Sequence, residues 1–357
     1  MSTLLLSPID VQEIVRRVGV DALMGELTAR LGAALAEFEP EKTEIPIRTG
    51  FNYRSPHFGL IEWMPLMQRG ERVLMKSVGY HPHNGAEYGL PTILSTMSLF
   101  DPSTGRLLAM ADGALLTAMR TGAASAVASR VLASPDSRTL GLIGCGAQAV
   151  TQLQALHQLF DFSEVLISDT DSAATASLPA RVNSFFDAPM ETVSAREAAE
   201  RSDILCVATS VDVGAGPVFP DCETKPGLHV NAIGSDFPGK FEIPVELLRR
   251  SFVAADSIDQ AMQEGECQQL ERSEIHGTLV DLARRPDMFQ DRRSKRTVFD
   301  STGWALEDYV ALELAIEYAT DMGLGSRLDA EAIGADPRDP YGFLEVKKPV
   351  GAGQSWS

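Results

Sequence analysis

The sequence has no apolar run long enough to cross a membrane, because polar or charged residues interrupt every hydrophobic stretch before about 20 residues. Residues 1–10 also lack the basic segment that opens a secretory signal peptide. We therefore expect no membrane partner and no export, and we predict a cytoplasmic protein.

Cysteine is scarce as well. The chain has four cysteines, and no two of them share the spacing of a zinc-binding pair or suggest a disulfide framework. Cys145 lies in a glycine-rich turn and Cys206 in an apolar stretch, so we expect buried, reduced thiols. His81-Pro-His83 looks like a metal-binding pair, but no third ligand has a recognisable spacing and the surrounding residues are turn formers. The sequence predicts no metal site.

Basic residues are few compared with acidic ones. There are 31 Lys and Arg against 49 Asp and Glu, which gives a formal net charge of −18. Such a surface repels nucleic acid and anionic lipid, so neither is an expected partner. The remaining composition, 44% hydrophobic and 22% charged over 357 residues, is typical of a soluble globular protein with two domains.

The most informative segment is a glycine-rich turn between a strand pattern and a helix pattern, Thr139-Leu-Gly-Leu-Ile-Gly144-Cys-Gly146-Ala-Gln-Ala149. In this G-x-G-x-x-A motif the first glycine permits a tight turn and the second lets the backbone approach a pyrophosphate, while the small Ala149 lets the helix pack closely on the strand. The helix N-terminus offers free N–H groups to phosphates. Asp169 ends the next apolar strand, where a carboxylate can accept hydrogen bonds from both ribose hydroxyls, which favours NAD over NADP. The sequence therefore predicts an NAD site.

Strand and helix patterns alternate through the second half of the chain. This alternation is typical of a doubly wound parallel sheet, and a further apolar run at 297–300 leads into Ser301-Thr-Gly303. The six candidate strands are 140–144, 165–169, 191–193, 204–209, 229–234 and 252–255.

The first part of the chain has a different pattern. Residues 11–38 have helical periodicity with Asp10 as a candidate N-cap, and several strand-like runs separated by turns follow. Long helices are expected at 114–133 and 304–322. We predict an α/β fold in which a Rossmann-type doubly wound parallel sheet, residues 125–304, is inserted into a second α+β domain with an antiparallel sheet, residues 1–124 plus 305–357. The expected strands of this second domain are 45–48, 59–64, 72–78, 92–100 and 107–111.

Charged residues within apolar strands or small-residue helices are the candidates for chemistry. Asp236 follows a buried-type strand at its carboxyl end, where doubly wound folds bind ligands, although Asp-Phe-Pro-Gly is also an ordinary turn. Lys76 could bind a carboxylate or have a lowered pKa if it is buried, but it could also face solvent. A buried Glu62 would need a partner, with Lys76 the obvious one, and a surface acid is an equal alternative. Arg120 could clamp a substrate carboxylate or form an ion pair between domains.

Taken together, the motifs resemble those of the ornithine cyclodeaminase/mu-crystallin family, and within it the lysine cyclodeaminases of bacterial secondary metabolism. They occur in family order from about residue 45 to residue 315. The matching segments are Ile61-Glu-Trp-Met-Pro65, Met75-Lys76, Gly89-Leu-Pro-Thr92, Thr117-Ala-Met-Arg-Thr-Gly-Ala-Ala-Ser125, Gly144-Cys-Gly-Ala-Gln148, Gly234-Ser-Asp-Phe-Pro-Gly-Lys240 and Asp300-Ser-Thr-Gly303.

The resemblance implies a role for each matching position. Arg48, Lys76 and Arg120 match residues that hold the substrate α-carboxylate. Asp236 matches the catalytic carboxylate that handles the distal amine, and Glu62, with Lys76, is implied to act catalytically beside it. The positions implied for the cofactor are Thr121, Gly144, Gly146, Ala147, Gln148, Asp169, Thr209, Ser210, Lys240 and Ser301.

The implied activity is an NAD-dependent cyclodeaminase that converts L-lysine to L-pipecolate through hidden oxidation, cyclisation and re-reduction, with loss of ammonia. The same motifs leave open conversion of L-ornithine to L-proline, a ketimine reductase or amino-acid dehydrogenase, and a crystallin-type binding protein. The family also implies a homodimer formed through the antiparallel sheets. Phe241 and Ser235 depart from common family residues near Asp236, and neither change removes a charged group.

Overall fold

The computed structural model describes residues 2–331 and 336–344, and its strands form two separate sheets. In chain order the strands are β1 (Thr3–Leu6), β2 (Thr43–Glu44), β3 (Thr49–Tyr53), β4 (Gly59–Gln68), β5 (Arg72–Tyr80), β6 (Ile93–Phe100), β7 (Leu107–Asp112), β8 (Thr139–Ile143), β9 (Glu164–Ser168), β10 (Met190–Thr192), β11 (Ile204–Val207), β12 (His229–Ala232), β13 (Phe252–Ala255), β14 (Gly277–Thr278), β15 (Thr297–Asp300) and β16 (Ser326–Leu328).

Helices cover both sheets and connect them. They are α1 (Pro8–Val18), α2 (Val20–Ala36), α3 (Asn84–Tyr88), α4 (Ala114–Leu132), α5 (Ala147–Leu156), α6 (Ser172–Val182), α7 (Ala195–Arg201), α8 (Val245–Arg249), α9 (Ile258–Glu264), α10 (Leu279–Arg284) and α11 (Ala305–Met322). Short 3-10 turns cover Glu266–Gln269, Arg272–Glu274 and Pro286–Ser294. No helix in the described part of the chain combines the length and apolarity needed to span a bilayer.

The parallel sheet has the order β10-β9-β8-β11-β12-β15-β13-β14, and every pairing in it is parallel. The chain starts at β8, moves outward to β10, then returns to β11 and continues in the other direction, which confirms the doubly wound fold. Its central strands are buried on both faces, which explains their continuous apolar runs. The apolar run at 297–300 forms β15 between β12 and β13, and the two-residue β14 was too short to predict.

The second sheet has the order β16-β1-β7-β6-β5-β4-β2, with β3 also paired to β4. It is antiparallel except that β1 pairs in parallel with β7. The predicted strand at 45–48 is wrong, because these residues form an irregular link between β2 and β3, both of which pair with β4. Pro46 lies in this link and has no N–H to donate to a ladder. Arg48 is the last residue of this link, directly before β3.

The single helix predicted for residues 11–38 is also wrong, because two helices meet at Gly19. Gly19 has φ = 91°, a conformation that other residues rarely adopt, and it separates α1 from α2. The N-cap is Ser7 rather than Asp10. Asp10 occupies the third helical position and completes a capping box by accepting from the Ser7 backbone.

The buried helix α4 packs against α2, α5 and α11. Gly122 makes the approach to α5 possible, since a Cβ at this position would lie 2.6 Å from the Thr151 carbonyl oxygen. The predicted domain boundary at 124/125 falls inside this helix, which contacts elements around both sheets. The boundaries stay a prediction. The predicted frayed tail, 347–357, lies outside the described residues.

Candidate active site

A cavity lies where the carboxyl ends of the parallel strands meet β4 and β5 of the antiparallel sheet. Ligands of doubly wound folds bind at this edge. The cavity brings together eight of the residues predicted from sequence, which are Arg48, Glu62, Lys76, Arg120, Thr121, Gln148, Asp236 and Ser301. Its remaining wall is formed by Leu60, Met64, Val78, Tyr80, Ile93, Thr117, Ile233, Thr302 and Gly303.

The glycine-rich turn adjoins this cavity through Gln148 at the start of α5. Gly144 has φ = 93°, and a Cβ there would lie 2.4 Å from the Ala208 carbonyl oxygen. At Gly146, by contrast, a Cβ would meet no atom within 4 Å, and α5 begins without a side-chain cap. Open space in front of uncapped helix N–H groups fits the pyrophosphate of a dinucleotide.

Asp169 lies beside the turn, at the carboxyl end of β9. Its two carboxylate oxygens accept from the backbone N–H groups of Cys145, at 2.6 Å, and Asp171, at 2.9 Å. These bonds hold the carboxylate next to the glycine turn and leave lone pairs that can accept from hydroxyl groups. The position fits the ribose of a dinucleotide.

Lys76 is fully buried on β5, which excludes the solvent-facing alternative. Its Nζ donates to Asp308 Oδ1 at 2.9 Å, and Arg120 Nε donates to the same oxygen at 2.9 Å. Burial lowers the pKa of Lys76 to about 8, with Arg120 and Arg48 adding to the shift and Asp308 opposing it. Lys76 is therefore an ammonium that can lose its charge near physiological pH.

Arg120 extends this cluster from α4. Its NH1 group donates to Glu307 Oε2 at 2.7 Å, so the guanidinium is ion-paired with α11 and also lines the cavity. Arg120 and Glu307 both fall within the predicted domain of residues 1–124 plus 305–357, so this pair is not the one between domains that was the alternative. Burial raises the pKa of Glu307 to about 8, although Arg120 works against that shift. Two carboxylates thus fix the orientation of Arg120.

Arg48 forms a second buried cluster, with Glu62 and Glu264. Its Nε lies 3.2 Å from Glu62 Oε2 and also contacts Glu264 Oε1. The partner expected for Glu62 was Lys76, and this expectation is wrong because Lys76 is bonded to Asp308. Burial raises the pKa of Glu264 to about 7 against the effect of Arg48, and burial likewise raises the pKa of Glu62.

Arg48 also connects the two sheets. Its NH1 and NH2 groups donate to the carbonyl oxygens of Thr302, at 3.1 Å, and Asp236, at 3.2 Å, which lie after β15 and β12. Burial alone would lower the pKa of Arg48, but Glu264 and Glu62 outweigh it and raise that pKa. The guanidinium therefore keeps its charge, and it forms part of the cavity wall.

Asp236 lies on the loop after β12 and is hydrogen-bonded to Lys240. Lys240 Nζ donates to Asp236 Oδ1 at 3.2 Å, to Tyr80 OH at 3.3 Å and to the Thr209 carbonyl oxygen at 3.1 Å. These three bonds use all three donors of the ammonium group. A carboxylate, an ammonium and a phenol therefore share one end of the cavity.

The remaining predicted residues surround this centre. Thr121 Oγ1 donates to the Thr117 carbonyl oxygen within α4, and Ser301 Oγ lies 3.3 Å from Asp256 Oδ2. Thr209 donates to the buried Glu242, whereas Ser210 is exposed on the following loop and is absent from the cavity wall.

The two departures from common family residues are accommodated without a clash. Ser235 Oγ donates to the Lys240 carbonyl oxygen at 2.6 Å and closes the loop that carries Asp236. Phe241 is half-buried next to it.

Sequence reasoning missed several buried residues that complete the site. Glu307 and Asp308 lie in the first turn of α11, where acidic residues ordinarily indicate only a helix start. Glu264 ends a short helix. Gln268 accepts from the Gly239 N–H at 2.8 Å and lies 3.4 Å from the Phe237 carbonyl oxygen, so it braces the Asp236 loop. The available signal was weak: polar residues within otherwise apolar helical segments.

Comparison with known proteins adds independent evidence. The model of the ornithine cyclodeaminase/mu-crystallin family matches residues 10–323. An L-lysine cyclodeaminase from Streptomyces rapamycinicus is 42% identical over 342 residues, which cover 96% of this chain and 99% of that protein.

Solved structures agree. The structure of a lysine cyclodeaminase superposes with a TM-score of 0.93 at 46% identity, covering 96% of this chain and 100% of that one. That structure concerns recognition of L-lysine, L-ornithine and L-2,4-diaminobutyric acid by the lysine cyclodeaminase. A dimeric archaeal alanine dehydrogenase with bound NAD superposes with a TM-score of 0.79 at 29% identity, covering 93% and 100%.

Proposed function

This chain belongs to the ornithine cyclodeaminase/mu-crystallin family, and we propose that it converts L-lysine to L-pipecolate with release of ammonia. One observation carries the proposal: Arg48, Lys76 and Arg120 line the same cavity as Asp236, beside the start of the glycine-turn helix. The similarity to L-lysine cyclodeaminase over nearly the full chain supports lysine as the substrate.

The cofactor is NAD, and its proposed site is the glycine-rich turn. Gly144, Gly146 and Ala147 would hold the pyrophosphate, and Asp169 would accept from the ribose hydroxyls. Gln148, Thr121, Thr209, Ser210, Lys240 and Ser301 complete the proposed cofactor side. Bound NAD supplies a hydride acceptor at the substrate Cα and a hydride donor after the ring has closed.

The chain's own residues then bind and orient the substrate. The substrate carboxylate would lie against Lys76, Arg120 and Arg48, because these cations reach the cavity from β5, from α4 and from the link before β3. Asp236 would take a proton from the distal ammonium, which makes that nitrogen a nucleophile toward C2. Glu62 lies between these groups and would handle a proton of the α-amine. Holding both ends makes ring closure intramolecular, which is a large rate advantage.

The test is incubation of the purified protein with L-lysine. We expect ammonia and pipecolate in equal amounts without net change in nicotinamide absorbance. Stoichiometric NADH formation would instead favour an amino-acid dehydrogenase, and turnover of L-ornithine alone would favour an ornithine cyclodeaminase. No product from either diamino acid, with NAD bound, would refute the proposal.

The variant Asp236→Asn tests the catalytic assignment. Loss of an acid–base group costs about 10²–10⁴ in rate, so we expect pipecolate formation to fall by that range while the dissociation constant of NAD, measured by fluorescence titration, stays within about twofold. Unchanged turnover would remove Asp236 from the mechanism.

We also propose a homodimer formed through the outer face of the antiparallel sheet. Phe51, Ile61, Leu94 and Met110 lie on this face of β3, β4, β6 and β7 and are 68%, 43%, 44% and 36% exposed. Exposed apolar side chains grouped on one sheet face are typical of an interface, and a second copy would cover them by two-fold symmetry. The archaeal relative is a dimer. We retain as proposals the cytoplasmic location and the division into residues 125–304 and 1–124 plus 305–357.

A further inference from the structure

Three residues of β5 face the cavity in succession. Lys76, Val78 and Tyr80 alternate with outward-facing residues, and all three line the cavity wall. Successive residues on one face of a strand are about 6.6 Å apart, so Lys76 and Tyr80 are about 13 Å apart along the strand. This strand therefore runs along the length of the cavity.

The partners of these residues on β4 follow the same order. Met64 pairs with Lys76, Glu62 with Val78 and Leu60 with Tyr80. The cavity consequently has two different ends. At the Lys76 end lies the Arg120–Asp308 cluster, and at the Tyr80 end lie Lys240 and Asp236.

The Tyr80 hydroxyl has a free proton at this second end. It accepts from Lys240 Nζ, and no acceptor for its own proton is found in residues 2–331 or 336–344. Burial raises the pKa of Tyr80 to about 12, with Asp236 adding to the shift and Lys240 opposing it, so the phenol stays protonated. Beside the bond from Lys240, the phenol oxygen can accept a second bond from a charged distal ammonium, and its own proton can be donated only to an amine that has lost a proton.

We propose that Tyr80 is a specificity-determining residue whose hydroxyl, together with Asp236, binds the distal amine of the substrate and sets the preferred chain length. This inference rests on the proposed function. A carboxylate held by Lys76 and Arg120 leaves the side chain to extend over Val78 toward Tyr80. The distal nitrogen of ornithine, one methylene shorter than lysine, reaches less far along this path.

The test compares Tyr80→Phe with the unaltered enzyme on L-lysine and L-ornithine. Loss of a hydrogen bond to a charged amine corresponds to about 10–100-fold, so we expect kcat/KM for lysine to fall by this factor. We expect the value for ornithine to fall about tenfold less, which shifts the preference toward ornithine. A matched control is Tyr53→Phe, which removes a phenol hydroxyl bonded to His81 outside the cavity wall and should leave both values unchanged.

Inhibition by L-norleucine separates binding of the distal amine from a general disturbance of the site. Norleucine has the carboxylate, α-amine and carbon chain of lysine without the distal amine, so its inhibition constant should be the same within about twofold in the Tyr80→Phe variant. Equal falls in kcat/KM for lysine and ornithine would show that Tyr80 acts only through Lys240 and would overturn the inference. A matching rise in the inhibition constant of norleucine would overturn it for the same reason. Unchanged kinetics with both substrates would overturn it as well. Absence of pipecolate from the unaltered enzyme would instead refute the proposed function.

Discussion

Replacement of Asp308 by asparagine should lower the pH above which the enzyme binds the substrate carboxylate weakly, given the proposed role of Lys76. Asp308 Oδ1 lies 2.9 Å from Lys76 Nζ, and its charge is the largest effect opposing the burial that lowers the pKa of Lys76 to about 8. An opposite charge at this range shifts a pKa by about 1–3 units. In the Asp308→Asn variant we therefore expect the pKa of Lys76 to fall further below its usual range, by about that amount.

The consequence can be followed through the charge of Lys76. At pH 7.5 a lysine with a pKa of about 8 is about three-quarters charged, and each unit by which the pKa falls lowers the ratio of charged to neutral lysine about tenfold. With a lower pKa, Lys76 loses its proton at a lower pH as the pH rises. The alkaline limb of the kcat/KM profile should therefore shift about 1–3 units toward lower pH. KM should rise more than kcat falls, because the proposed role of this charge is to bind the substrate carboxylate.

The assay is pipecolate formation at low L-lysine from pH 5.5 to 9.5. Titration of the substrate's own amines is the same for every variant, so differences between profiles belong to the enzyme. Glu317→Gln is the matched control, because it removes a carboxylate from the same helix whose partner is Arg30 and not Lys76, and its alkaline limb should stay where the unaltered enzyme has it. Removing one member of a buried ion pair can cost about 3–5 kcal/mol of stability, so thermal unfolding is measured for both variants. A folded Asp308→Asn enzyme with an unshifted alkaline limb would refute the reasoning.

Two further predictions concern the cofactor site and the sheet face. Gly146→Ala should weaken NAD binding at least tenfold, because the new Cβ occupies the space proposed for the pyrophosphate. The melting temperature of the cofactor-free protein should change by less than about 2 °C, because the Gly146 φ of −77° suits alanine and the Cβ contacts no protein atom. Unaltered NAD affinity by titration would place the pyrophosphate elsewhere. Ile61→Arg should dissociate the proposed dimer in sedimentation experiments, because it puts a charge among the exposed apolar residues of the sheet face. Ile9→Arg makes the same change on α1, at a residue that is 74% exposed, and should leave the dimer intact. Dimers in both variants would exclude this face.

The sequence was a good guide to the parallel sheet and a poorer one to the first 50 residues. Central parallel strands are buried on both faces and read as continuous apolar runs, so their positions could be predicted. The break between α1 and α2 depends on one glycine with positive φ, and the link at 45–48 depends on how two short strands share β4. Neither is visible in local periodicity.

The charged residues of the site were found because each one interrupts an apolar pattern, but their partners were not. Lys76 and Asp308 are 232 residues apart, and Arg48 meets Glu264 across two sheets. Pairings of this kind are set by the packing of α11 and α9 against the strands, and a single sequence contains no direct sign of them. The expected pairing of Glu62 with Lys76 failed for this reason.

These unpredicted partners also determine which amino acids suit the cavity. Four cations, Arg48, Lys76, Arg120 and Lys240, are bonded to five carboxylates, which are those of Glu62, Glu264, Asp236, Glu307 and Asp308. Burial raises the pKa of Glu264 to about 7 and that of Glu307 to about 8, so part of the excess negative charge is neutralised by bound protons near neutral pH. A diamino acid brings one net positive charge, which favours the ionised carboxylates, whereas alanine brings none. On the proposed function, we therefore expect the excess of buried carboxylates to favour a diamino acid over a neutral one, and Glu264→Gln or Glu307→Gln to reduce that preference.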